Sequence, residues 1–359
     1  MHSGRQPQPI GTTSALAGLP RRQLLQGAGA LGFAAILRPT PVFSRPNRQL
    51  GPFSDWSEPI NLGPVVNSGF NDFHPGISKD GLSLYFTSDR PGGVNGGQLP
   101  EIWVTQREDL DADWEPPLNL GPQINKPGFS TGVPNLTPNG LWLYFGSTRP
   151  GGCGVPAPSG NGDLWRARQE DPEDEDDFGW ESNENLGCVI NTPSDEDSPV
   201  YFRDRETGVT TLYFTRFDGP GGDFLNPDQD YNIYVSALGE DGVFGPGVLV
   251  PELNSPFRDT RMAIRSDGLE MILTSNRPGG IGPTRLNLNL WVSTRVSTLD
   301  RWSTPVNPGR PINYGGGFVD RGPALSFDGK TLYFASNRPG GSGKSDLWMA
   351  TRSKLEGHD

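Results

Sequence analysis

Four carboxylates recur at one position of a repeating segment: Asp72, Glu196, Asp259 and Asp320, with Thr131 taking that place in the second copy. Each follows a recurrent asparagine, Asn67, Asn125, Asn191, Asn254 or Asn313. Two carboxylates ~5–10 Å apart at a common opening act as acid and base, or as acid and nucleophile, in glycoside hydrolysis. Asp72, Glu196 and Asp259 are the residues to which that chemistry would fall. The same oxygens suit ligand binding, with Asp320, Asn67 and Asn191 joining the three acids. They also suit a hard cation such as Ca2+, although no cofactor is required. A fourth use is structural, with each acid capping backbone N–H groups of an adjacent segment. Periodic recurrence favours this last use, because an active site usually breaks symmetry.

Other chemistries have little to stand on. His2 and His358 are terminal, so His74 is the only histidine of the body: a histidine-based zinc site lacks partners, and a Ser-His-Asp triad would have to use His74, which stands at a variable position just before a strand-start proline. No phosphate-cradling glycine motif opens a helix, and no helix is predicted. The segment Asp228-x-Asp230-x-Asn232 has the start of a calcium loop without its later Gly and Glu. Arg90, Arg149, Arg277 and Arg338 head a repeated Arg-Pro-Gly-Gly, and the third strand of each unit opens with Glu101, Asp163, Asn232, Asn289 or Asp346. Pairing the two within a unit would fix the loop. Eight tryptophans occupy two repeat positions, which leaves only Trp142 as a free sugar-stacking candidate.

The elements that must hold these residues come from the repeat itself. Five copies open at Trp56, Trp114, Trp180, Phe244 and Trp302 with Trp-x-x-Pro-x-Asn-Leu-Gly or a variant of it. Each then offers an inner strand beginning at Pro75, Pro134, Pro199, Met262 or Pro323. Asp80-Gly81, Asn139-Gly140, Asp267-Gly268 and Asp328-Gly329 mark tight hairpins, since both turn positions can require φ > 0. Second strands such as Leu84-Tyr85-Phe86 and Leu332-Tyr333-Phe334 are apolar without alternation, which implies burial on both faces. Third strands carry Trp103, Trp165, Tyr234, Trp291 and Trp348. Small sheets sandwiched between neighbours supply that environment in a β-propeller. The array begins with an outer strand and ends on a third strand, so the N-terminal strand can complete the last sheet. The predicted fold is therefore all-β: a five-bladed β-propeller of four-stranded antiparallel blades, closed by the N-terminal strand. A β-solenoid is the alternative, but no capping repeat is evident.

The strings Pro…Ser-x-Asp-Gly…Leu-Tyr-Phe-x-Ser-x-Arg…Gly-Gly…Asp-Leu-Trp, clearest over Pro323–Arg352, resemble the WD40-like propeller repeats of Tol-type periplasmic proteins. The resemblance covers residues 56–352. It implies a module that binds a protein or another macromolecule, because members of that family commonly do so.

The formal charge is −12, and the first 45 residues hold five arginines and no acid, so the body is more acidic still. Nucleic acid is thereby excluded as a partner, since it requires a basic footprint. Arg21-Arg22 precedes a Gly/Ala-rich apolar stretch over residues 24–37, resembling a twin-arginine export signal. That stretch is shorter than a membrane span. The expected organisation is a signal and linker over 1–50, the propeller over 51–353 and a tail over 354–359, with periplasmic or extracellular residence. Cys153 and Cys188 fall in loops on the same face of one blade, where a disulfide is feasible.

These observations set two functional expectations. The first is an exported, non-enzymatic binding or scaffold module that recognises a protein or polysaccharide through irregular loops on one face. The alternative is a glycoside hydrolase that uses carboxylates at the channel mouth.

Overall fold

The computed structural model describes residues 52–153, 162–169, 179–181, 183–217, 231–282 and 287–355. The export-signal segment and the 228–230 part of the calcium-like segment lie outside the described residues. Five small antiparallel sheets follow one another in chain order. Blade one is β2 (Asp72–Ile77), β3 (Ser83–Ser88), β4 (Glu101–Gln106) and β5 (Leu118–Asn119). Blade two is β6 (Thr131–Leu136), β7 (Trp142–Ser147), β8 (Asp163–Arg168) and β9 (Glu184–Asn185). Blade three is β10 (Glu196–Arg203), β11 (Thr210–Phe217), β12 (Tyr231–Ala237) and β13 (Val248–Leu249). Blade four is β14 (Asp259–Ile264), β15 (Glu270–Ser275) and β16 (Asn289–Thr294). Blade five is β17 (Asp320–Leu325), β18 (Thr331–Ser336) and β19 (Asp346–Thr351), completed by the N-terminal β1 (Ile60–Asn61).

The ring is thus closed by the two ends of the chain, with Ile60 opposite Met349 and Asn61 opposite Trp348. Blade four lacks a fourth strand for a simple reason. Leu62, Leu120, Leu186 and Val250 each donate a backbone N–H to the third strand of a blade. Pro308 stands at the corresponding position and has no N–H to give, so only the Val292–Val306 bridge survives. Two single-turn helices, α1 (Gly63–Val66) and α2 (Gly121–Ile124), follow outer strands where no helix was expected.

Burial on both faces of the second strands explains their unbroken apolar runs. Phe86, Phe145, Phe214 and Phe334 are fully buried. Five apolar clusters each join two neighbouring blades, so every interface of the ring is filled. One of them sets Phe86 and Trp103 of blade one against Tyr333 and Leu347 of blade five.

The inner strands begin earlier than their prolines. Each carries a one-residue bulge after its second residue, as where Phe73 faces Thr87 but Gly76 faces Tyr85. His74, Val133, Ser198, Arg261 and Gly322 occupy the bulges with φ between 43° and 62°. A left-handed backbone at four non-glycine residues is costly and clusters at functional sites. These five residues form the waist of the channel.

Candidate functional site

The recurrent polar residues are consumed by the framework. Asp72, Glu196, Asp259 and Asp320 have no exposed surface. Asp72 accepts hydrogen bonds from Ser68 N and Oγ, from Ser88 Oγ at 2.6 Å and from Arg90 at 2.5 Å. Asp320 does the same with Ser336 and Arg338, and Asp259 with Ser255 and Arg277. Glu196 bonds Thr192 and takes Arg216 at 2.7 Å, an arginine directly opposite it where the other blades have serine. Burial pushes Glu196 up to about 7 against the pull of Thr192 and Arg216. Asp72, Glu196 and Asp259 therefore offer no free oxygen to a substrate, which corrects the expectation of a catalytic or ligand-binding ring at these positions.

Asn67 and Asn191 are corrected in the same way. Each amide pairs like a backbone unit with the third strand of a blade: Asn67 with both polar groups of Leu347, Asn191 with those of Leu164. Because every ring acid turns to its own arginine, the ring does not make a calcium cage. Among the described residues no three His, Cys, Asp or Glu side chains gather to hold a metal ion.

The repeated arginines choose different partners from those expected. They reach the inner-strand acid and the carbonyl that ends the turn after the outer strand, as Arg90 does with Val66 O at 2.6 Å. The third-strand acids instead bind their own loops: Glu101 accepts from Asn95 N and Asp346 from Ser342 N. Where Thr131 replaces the acid, Arg149 has only hydroxyl and carbonyl acceptors, and burial lowers its pKa to about 10. Trp142 is covered by Arg166, 4.5 Å from its ring, as part of blade packing. Cys153 and Cys188 form a disulfide across 35 residues.

Chemistry that breaks the pattern lies beside these positions. The residue before each inner-strand acid is Asn71, Ser130, Asp195, Arg258 or Val319, and the residue after it is Phe73, Gly132, Asp197, Thr260 or Arg321. Strand alternation turns both neighbours away from the buried acid. Asp195 and Asp197 therefore share a side of blade three, with Arg258, Arg261 and Arg321 contributed by blades four and five.

Asp195 is half-buried and accepts from Gly162 N at 2.6 Å and from the Tyr231 hydroxyl at 2.9 Å. Burial, and then the negative charge of Asp197, push its carboxyl up to about 6. Asp197 lies 3.8 Å from Arg261 and keeps partial access to solvent. Its Oδ1 occupies the space over Gly146, where an added Cβ would come within 2.5 Å. Burial, followed by Asp195, raises the Tyr231 phenol, so it stays a hydrogen-bond donor. Arg258 stacks on the Tyr231 ring at 5.3 Å and Arg321 on Phe73 at 5.3 Å. Burial and the neighbouring arginines lower Arg321 to about 10. Burial, Arg261 and Arg321 drive His74 well below the usual histidine range, which keeps it neutral. Neither Asp195 nor Asp197 was singled out by the repeat. The signal available was the misfit of these two columns, together with a glycine at 146 where other blades have Thr or Ala.

No family model and no curated protein matches this sequence. Solved structures do share the fold. A thermostable family-43 glycoside hydrolase is similar with a TM-score of 0.52 and 14% identity over 84% of this chain and 95% of its own. An α-L-arabinofuranosidase from Lactobacillus brevis gives 0.50 and 16% over 81% and 92%. The α-L-arabinofuranosidase of Podospora anserina in complex with cellotriose gives 0.50 and 12% over 84% and 97%. A putative TolB from Agrobacterium tumefaciens is similar only at 0.42, too low to argue from.

At such identities the likeness is one of fold. It still overturns the expectation of a non-enzymatic binding module. That expectation rested on the Tol-type resemblance and on symmetric use of every polar residue. The three structures that share this fold at a TM-score of 0.50 or more and are named above are instead a glycoside hydrolase and two arabinofuranosidases.

Proposed function

We propose that this chain is a glycoside hydrolase whose reacting carboxyls are Asp195 and Asp197. The observation that carries the reading is this pair at the channel mouth, on the one blade that breaks the five-fold pattern with two adjacent acids. Two residues apart on an extended strand, their Cα atoms are separated by roughly 6–7 Å. Carboxyl separations of ~5–10 Å serve glycosidic bond cleavage with either stereochemical outcome.

The environments divide the labour. Asp195, held protonated to about pH 6, donates its proton to the glycosidic oxygen as the bond to the anomeric carbon breaks. Asp197, opposite Arg261, is the basic partner: it removes a proton from the water that attacks the anomeric carbon, or attacks that carbon itself. Tyr231 fixes the Asp195 carboxyl, and Arg258 and Arg321 offer guanidinium donors to sugar oxygens. Residence outside the cytoplasm is part of the proposal. The twin-arginine pattern supports it, as does a disulfide, which persists in oxidising compartments.

The test is hydrolysis of a panel of aryl glycosides and plant and bacterial polysaccharides by the purified chain. Sugar release that disappears in Asp195→Asn and Asp197→Asn supports the reading. No release from any member of the panel contradicts it.

A further inference from the structure

Beyond the waist, on the side away from Asp195 and Asp197, the channel encloses a cavity of about 250 Å3 that opens between the inner-strand hairpins. Its walls are largely apolar, with Pro75, Pro134, Pro199, Pro323, Val200 and Met262 among them. At the level of the bulges it is lined by His74 and Ser198. His74 is 4% exposed and Ser198 1%. Among the described residues no protein group bonds either ring nitrogen of His74 or the Ser198 hydroxyl. Buried polar groups are nearly always partnered, and leaving one unmet costs free energy.

The open end is basic, although the chain is acidic overall. Lys79 and Arg205 flank the Phe327 ring at 5.1 and 5.0 Å, and Arg203 is exposed beside them. The acids of the neighbouring turns are held by their own turns. Asp80 accepts from Ser78 and Leu82, Asp267 from Arg265, and Asp328 from Ser326 and Lys330. None of the three lines the cavity.

We propose that this end of the channel binds a small organic carboxylate, distinct from any glycoside substrate, with its headgroup at His74 and Ser198 and its apolar body against the proline walls. A neutral imidazole donates one N–H and the serine one O–H, which together match the two oxygens of a carboxylate. The basic lip of Lys79, Arg203 and Arg205 draws the anion in. The site lies across the waist from the reacting pair and does not depend on hydrolysis.

The experiment is calorimetric titration of the full chain with benzoate, and with benzyl alcohol as the neutral counterpart. Benzoate should bind saturably at one site per chain, at least about tenfold tighter than the alcohol, as charge-assisted hydrogen bonds require. His74→Asn keeps a side chain that tolerates the left-handed backbone and should weaken benzoate about tenfold or more. Ser198→Gly should weaken it several-fold, and so should Lys79→Gln with Arg205→Gln on the surface. Asp195→Asn should bind benzoate as the parent does, whatever becomes of hydrolysis. Three results would each overturn the proposal: no heat with benzoate at millimolar concentrations, equal affinity for the alcohol, or unchanged benzoate binding in the folded variants.

Discussion

Replacing Asp72 by Asn separates framework from chemistry at the position first suspected of catalysis. Asp72 has no exposed surface, and its partner Arg90 is 11% exposed, so the pair is shielded from solvent. Removing one partner of a buried pair usually costs about 3–5 kcal/mol, because the other charge stays buried. Two features of this protein lower that figure. Asn keeps one acceptor for the Ser68 and Ser88 groups, and blade two shows Arg149 held by Thr131 and Ile124 O without any carboxylate. The expected loss is therefore about 2–4 kcal/mol, toward the lower end of the usual range. For a domain of this size it corresponds to a fall in melting temperature of roughly 5–12 °C. Thermal unfolding followed by circular dichroism measures it. A melting temperature within a degree of the parent, with loss of sugar release, would refute the framework assignment and return Asp72 to the active site.

Further expectations follow from the same geometry. Asp195 has a folded pKa raised to about 6, so kcat/KM should fall as pH rises through that value, and Asp195→Asn should abolish this limb. The sign for stability is set by the same shift. The folded state holds the proton more tightly than the unfolded chain, so the Asp195 contribution is present at acid pH and is lost as pH rises from about 4 to about 6. Asp195→Asn should accordingly melt no lower than the parent at pH 7. Glu270 is buried and takes Arg265 at 2.7 Å and Arg352 through both carboxylate oxygens, beside the strand that closes the ring. Glu270→Gln should cost about 3–5 kcal/mol in denaturant titrations. Opening the Cys153–Cys188 bridge, which spans 35 residues, should cost about 3–4 kcal/mol by loop entropy, read as a reductant-dependent shift in melting.

Much of the architecture was legible because burial between blades leaves a plain mark. The runs around Phe86 and Phe334 cannot alternate when both faces are covered, and Asn-Gly and Asp-Gly turns announce their hairpins. Closure followed from the order of strands, with an outer strand first and a third strand last. The bulges were not legible. A one-residue extrusion before Pro134 or Pro323 is met by a threonine of the preceding blade, as Thr87 Oγ1 accepts from Val133 N and Thr274 Oγ1 from Gly322 N. Such contacts join residues 46 and 48 apart in the chain.

The proposed site was missed for a related reason. Repetition drew attention to Asp72, Glu196 and Asp259, and repetition is the property of a scaffold. Asp195 and Asp197 sit one residue to either side of Glu196, where pleating reverses the direction of the side chain. A carboxylate in the wrong column of the repeat was the informative residue, and Gly146 across from it was the matching vacancy. The arginine partners were misassigned because in blades one and five two acids compete for one guanidinium. Backbone N–H groups of the loops claim Glu101 and Asp346 first.

The central claim is that reaction chemistry occupies the non-repeating neighbours of the ring and leaves the ring itself to the fold. It is tested most directly by measuring sugar release and melting temperature together for the parent, Asp72→Asn and Asp197→Asn, with activity assayed well below every transition. The account predicts opposite rankings: Asp72→Asn melts early yet hydrolyses like the parent, whereas Asp197→Asn melts like the parent and releases no sugar above background. An active Asp197→Asn, or a stable and inactive Asp72→Asn, would contradict it.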